Sequence, residues 1–116
     1  MLRDATSEDL NRLVEGNQRL ADETEDFGLD ESILKPGVAA VLSDPTRGRY
    51  FLWEEEGQVA GQLMITYEWS DWRNAHGWWM QSGYIWPEFR GAQRGDARYQ
   101  AVKERAQAAG AGGLRL

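Results

Sequence analysis

At 116 residues with a hydrophobic share of 41%, the chain has room for one domain with a real core, spanning 1–116, and not for two. A net charge of −6 argues against a nucleic-acid binder, which needs a basic face, and fits a cationic amine as substrate. With no cysteine there is no disulfide, thiolate metal site or cysteine nucleophile; no apolar run suggests a membrane span, and the opening Met1-Leu2-Arg3-Asp4 is no signal peptide, so the expected location is the cytoplasm.

Leu2 to Ala5 reads as a short first strand. Thr6 then predicts a helix N-cap, with Asp9 three residues on as a short relative of the capping box. Leu10, Leu13, Val14, Leu20 and Ala21 keep helical spacing, so this helix buries one stripe. An acidic run from Asp22 to Asp26 ends it. Asp30 caps a second helix carrying Ile33, Leu34, Val38, Val41 and Leu42, and Pro36-Gly37 inside it predicts a break or kink. Asp44 to Gly48 is a turn.

Strands follow. Tyr50 to Trp53 is a continuous apolar run, and Glu56-Gly57-Gln58 is a hairpin turn. From Val59 to Trp69 apolar residues recur at every second position, the period of a strand. Ser70 to Gly77 reads as a polar connection, and Trp78 to Trp86 as the fourth strand. Gly83 within it suggests a bulge or a close backbone approach. A third helix runs from about Gly95 to Ala109, stops at Gly110, and leads into a fifth strand at Gly113 to Leu116.

The stretch Tyr84-Ile85-Trp86-Pro87-Glu88-Phe89-Arg90-Gly91-Ala92-Gln93-Arg94-Gly95 carries the chemistry. An apolar strand runs into a loop and then a helix, which places free amides and a helix dipole where an anion can sit. It resembles the acyl-CoA loop of the GNAT superfamily of N-acetyltransferases, Arg/Gln-x-x-Gly-x-Gly/Ala, with Arg90 and Gly95 matching and Gln93 at the middle glycine. Ile85 to Gly91 is similar to V-x-P-x-x-R-G. Gly57 to Leu63 is similar to the family's third strand, and Ala106 to Gly110 with Leu114 to Leu116 to its helix-to-strand-five passage. The resemblance covers Leu2 to Leu116. It implies an α/β GNAT-like mixed sheet flanked by helices, lacking the usual final helix and hairpin.

The same resemblance implies the chemistry. Acetyl-CoA is the expected acyl donor and a primary amine, of a small molecule or peptide, the acceptor. Backbone groups of Tyr84, Ile85 and Trp86 would meet the pantetheine amides, and amides from Arg90 through Gly91, Ala92, Gln93, Arg94 and Gly95 to Asp96 would cradle the pyrophosphate. The amine would attack the thioester directly, the protein supplying position and an oxyanion donor. Asp96 places a carboxylate beside that phosphate site, Arg94 a compensating cation, and Arg98 stands where the helix usually turns an aliphatic side chain to the sheet. The chain ends inside strand five, so the Tyr that often protonates the thiolate has no counterpart.

Glu68 and Asp71, between strands three and four, are the candidate bases, acting through water. Gln81 or Ser82 could orient that water, His76 is the one histidine, and Trp69, Trp72 and Trp78 could wall an amine pocket. Each carboxylate alone also reads as a solvated loop residue, and the tryptophans first of all as core. The uncovered edge of strand five predicts a homodimer. A non-catalytic scaffold that has kept the fold, or a dimerisation module, is the alternative to an enzyme.

Overall fold

A computed structural model of the chain describes residues 1–25, 28–91 and 94–116, with the side chains of Arg94 and Asp96 left undescribed. Asp26, Ala92 and Gln93 of the sequence reading lie outside the described residues. The elements in order are β1 (Leu2–Asp4), α1 (Leu10–Glu25), α2 (Glu31–Ser43), β2 (Arg49–Glu55), β3 (Gln58–Ser70), β4 (Ala75–Ile85), α3 (Arg94–Ala108) and β5 (Leu114–Arg115). The five strands form one sheet in the order β1-β2-β3-β4-β5. β1 to β4 pair antiparallel, and β5 joins β4 in parallel after the α3 crossover.

Local chemistry accounts for most boundaries. The Thr6 amide donates to the Asp9 carboxylate at 2.7 Å, which opens the helical segment as a capping box does. Asp30 accepts from the Ser32 amide at 2.9 Å and starts α2. Glu56 and Gly57 both take positive φ, 52° and 77°, the backbone that a two-residue hairpin loop needs to match strand twist. α3 ends on Gly110 at φ 77°, where the Ala111 amide reaches the Ala106 carbonyl and the Gly110 amide the Gln107 carbonyl.

Two expectations are corrected. Helix α2 runs unbroken through Pro36. The proline is exposed and removes a single amide donor, whereas Leu34, Val38, Val41 and Leu42 dock on Leu13, Val14, Tyr50 and Leu52 and hold the helix in place. Ile33, on the same helix, is 72% exposed. The connection read as Ser70 to Gly77 is shorter, because Ala75, His76 and Gly77 pair with Ser70, Trp69 and Glu68 as the first residues of β4.

The sheet separates two apolar layers. On one face α1 and α2 cover Tyr50, Leu52, Val59 and Met64; on the other α3 brings Val102 and Ala106 onto Leu2, Phe51, Ile65 and Trp78. Phe51 and Leu52, neighbours on β2, point to opposite layers and are both fully buried. Each contributes about 1.5–3 kcal/mol of transfer free energy.

A bulge in β4 decides which residues reach which layer. Met64 faces Ser82 but Ile65 faces Met80, so Gln81 is the extra residue. Before it, Trp78 and Met80 pack into the α3 layer. After it, Tyr84 and Trp86 turn to α1: the Tyr84 hydroxyl donates to Glu23, and the Trp86 ring lies 4.0 Å from the Arg12 guanidinium and 4.6 Å from that of Arg19. Unbroken alternation would have put all four on one face.

Candidate active site

β5 pairs with the first half of β4. Their register covers only Trp78 with Leu114 and Trp79 with Arg115, and the Trp78 amide donates to the Gly113 carbonyl at 2.8 Å. From there to Ile85 the outer edge of β4 has no strand beside it among the described residues. The Gln81 bulge lies two residues beyond Trp79, the last β4 residue paired with β5, and a bulge bends its strand and sharpens its twist.

Backbone alternation fixes which groups face that open edge. The Trp86 amide donates to the Ala60 carbonyl at 2.9 Å, and the Trp86 carbonyl accepts from Phe89 at 2.9 Å, so Trp86 is taken up within the protein. Antiparallel pairing alternates, so the amide and carbonyl of Tyr84 also face β3, and those of Gly83 and Ile85 face outward. The outward set is therefore narrower than Tyr84, Ile85 and Trp86: of these only Ile85 qualifies, and Gly83 joins it. The Ile85 carbonyl accepts from Nε of Arg90 at 2.9 Å.

Arg90 is held by its surroundings. Its guanidinium donates to Glu23 of α1 at 2.8 Å and lies 5.3 Å from the Tyr84 ring. The bonds from Tyr84 and Arg90 hold the Glu23 carboxyl below the usual carboxylate range, and burial followed by the bond to Glu23 pushes the Tyr84 hydroxyl up. The Arg90 side chain thus joins α1 to the segment that enters the loop. Past the loop, α3 begins at Arg94, and the amides of its first turn have no partner within the helix. Among the described residues, nothing stands within 4 Å of where a side chain on Gly91 or Gly95 would be.

Between α3 and the sheet lies an apolar cavity of about 250 Å³, bordered by Phe51, Leu63, Met80, Gly83, Ile85 and Val102 among others. Arg98 reaches its wall. The guanidinium that should be costly on this face is not alone: it donates to the Phe89 carbonyl at 2.8 Å and sits 3.5 Å from Glu55, over the Trp53 ring at 6.0 Å.

On the opposite face of β3 and β4 stands Glu68. It accepts from Nε1 of Trp79 at 3.1 Å and lies 3.6 Å from the Arg115 guanidinium of β5. Its row continues through Thr66, which accepts from Gln81 at 2.7 Å, to the half-buried Ser82. Glu68 and Asp71 line one open cleft of about 620 Å³ with Trp69, Trp72, Trp79 and Arg115. Trp72 is 95% exposed at the hairpin tip. Trp78 belongs to the buried core against Phe51, with ring centroids 5.9 Å apart, so its ring is no open wall for an amine. His76 stacks between Trp69 and Tyr67 at 5.1 and 5.6 Å, on the α3 side, away from Glu68. Glu23, Gly83 and the Gln81 bulge were not singled out by sequence as parts of this arrangement; only Gly83, as a glycine inside a strand, carried a signal.

The family model described as Acetyltransferase (GNAT) family matches residues 8–116. Among solved structures, a possible acetyltransferase from Clostridium difficile 630 is similar at 36% identity with a TM-score of 0.91, covering 100% of this chain and 77% of its own. An integron cassette protein from the mobile metagenome of Cole Harbour salt marsh is similar at 24% identity, TM-score 0.87, over 98% of this chain and 74% of its own. A GNAT family acetyltransferase from Staphylococcus aureus follows at 17% identity, TM-score 0.79, over 100% of this chain and 84% of its own. The last two speak for the fold alone. No curated protein matches the sequence. No helix among the described residues is long and apolar enough to cross a membrane.

Proposed function

The chain belongs to the acetyltransferase (GNAT) family, which transfers acyl groups from CoA thioesters, and we propose that it moves an acetyl group from acetyl-CoA to a primary amine. The observation that carries this reading is the open edge of β4, where outward groups of Gly83 and Ile85 lead to the first-turn amides of α3, which have no partner within the helix. An amide-bearing arm can pair with the first and a pyrophosphate with the second. Arg90 would have to yield the Ile85 carbonyl as the arm arrives.

The amine enters from the α1/α2 face. Its nitrogen bonds to the thioester carbonyl carbon, the C–S bond breaks, and the outward amide of Gly83 is placed to steady the oxyanion. The nitrogen's proton passes through water to Glu68 or Asp71, and the thiolate takes a proton from solvent. The reaction's donor is a soluble metabolite, and we assign the protein to the cytoplasm. A second copy of the chain is the proposed cover for Trp69 and Trp72, which are 56% and 95% exposed.

Calorimetric titration with acetyl-CoA tests the reading. Saturable binding is expected, and Gln93→Gly, which lets the backbone approach phosphate more closely, should tighten it. No heat and no thermal shift in either protein would remove the cofactor assignment. Sedimentation across concentrations tests the dimer, and a folded monomer at high concentration would reject it.

A further inference from the structure

We propose that the cavity beneath α3 seats the acyl chain of the donor, so that the protein accepts aliphatic acyl groups longer than acetyl. The inference rests on the reading that a CoA thioester lies along the open edge of β4. An arm that pairs with Ile85 and Gly83 and starts at the first turn of α3 runs back along β4 toward Met80. Its thioester end therefore arrives beside the Gln81 bulge. At that point the two faces of the sheet differ in kind. Toward α1 and α2 stand Thr66, Glu68 and Gln81, all polar. Toward α3, Met80 and Leu63 border the cavity together with Phe51, Leu2 and Val102.

The carbonyl carbon then sits between a polar face that delivers the amine and an apolar face that receives whatever the carbonyl carries. An acetyl methyl leaves most of the about 250 Å³ unfilled. Apolar space lined by aliphatic side chains is poor in partners for water and gains by taking methylenes. Arg98 also borders the cavity, with its guanidinium already engaged by Phe89 and Glu55. The volume of the space sets a limit, so a chain of a few methylenes fits and a long one does not.

The experiment is a calorimetric series on the wild-type chain with CoA, acetyl-, butyryl-, hexanoyl- and octanoyl-CoA. Affinity should rise by up to about fourfold per added methylene until the cavity is full, then level or fall. Val102→Phe and, separately, Leu63→Phe fill the space from opposite walls, and both are checked for folding by thermal melt. Each should abolish the gain for the longer thioesters and leave CoA itself bound as before. A flat series with CoA binding intact overturns the acyl-chain seat and spares the cofactor assignment. A gain that survives in both filled variants also overturns it, because the tails then bind elsewhere. Failure of every thioester and of CoA itself removes the cofactor reading, and this inference with it.

Discussion

A Cβ on Gly16 would stand 2.0 Å from Oε1 of Gln62, so α1 crosses β3 at a notch that only glycine leaves open. Gln62 is 4% exposed, and its Nε2 donates to the Leu13 carbonyl at 3.1 Å, which fixes the amide beneath the helix. Gly16→Ala gains about 1 kcal/mol of helix propensity. It must also drive the Gln62 amide off Leu13 in a closed space, at a cost of about 2–4 kcal/mol. The expected net is a loss of about 1–3 kcal/mol by urea unfolding. In a Gln62→Ala background the same change should cost far less, and additive losses would show that the notch does not matter.

Asp9 ties the chain's start to its second strand. Arg3 donates to both Asp9 oxygens at 2.9 Å and also to Glu54. The bond to Arg3, opposed by partial burial, holds the Asp9 carboxyl below its usual range. A depressed carboxyl stabilises the fold fully above the unfolded-state value near about 4 and loses that contribution as pH falls through the folded-state value. Asp9→Asn should therefore be less stable than wild type by about 1 kcal/mol at neutral pH. The gap should close in acid, as the wild-type carboxyl takes up its proton. A gap that stayed constant from neutral to acid pH would mean that the charge is not what stabilises.

Gln81 sets the phase of β4. As the extra residue opposite Met64 and Ile65, it lets Trp78 and Met80 face α3 while Tyr84 and Trp86 face α1. Deleting it would restore plain alternation, and either half of the strand would turn its aromatics to the wrong layer. Gln81→Ala keeps the count and loses one hydrogen bond to Thr66, about 1 kcal/mol. The deletion should abolish cooperative unfolding, read by near-ultraviolet circular dichroism, and Gln81→Ala should keep it. A well-folded deletion variant would show that the register absorbs the change.

This residue also marks how far the sequence could be read. The alternation of β3, the Glu56-Gly57 turn and the Gly110 stop are local signals, and all stand where the pattern puts them. The bulge is not local: nothing in Met80-Gln81-Ser82-Gly83 says which residue is extra until β3 is laid beside it. Pro36 misled for the same reason, since packing against α1 and β2 outweighs one missing amide. The partners of Arg98 are likewise remote, Glu55 lying 43 positions away. Glu68 and Asp71 were legible as carboxylates near a hairpin, and the structure puts both on one cleft. Trp78 was read beside them as a wall, but strand phase sends it to the core.

Glu68 of β3 and Arg115 of β5 stand 3.6 Å apart over Trp79 of β4, which donates to the same carboxylate. These contacts orient the exposed Glu68 side chain on the face where the amine is expected, in the same row as Thr66. A base in that place removes the proton that an attacking ammonium must lose, and such a group contributes roughly a hundredfold or more to rate. Glu68→Gln keeps the shape and the bond from Trp79 but cannot accept the proton. Assayed with acetyl-CoA across a panel of primary amines, it should lower kcat by about a hundredfold and leave the affinity for CoA unchanged. The loss should shrink at alkaline pH, where the amine arrives already neutral. Asp71→Asn, at the exposed end of the same cleft, separates the two carboxylates: if it alone lowers kcat, Asp71 is the base and Glu68 merely lines the site. A clear wild-type rate unaffected by either change removes both from the mechanism.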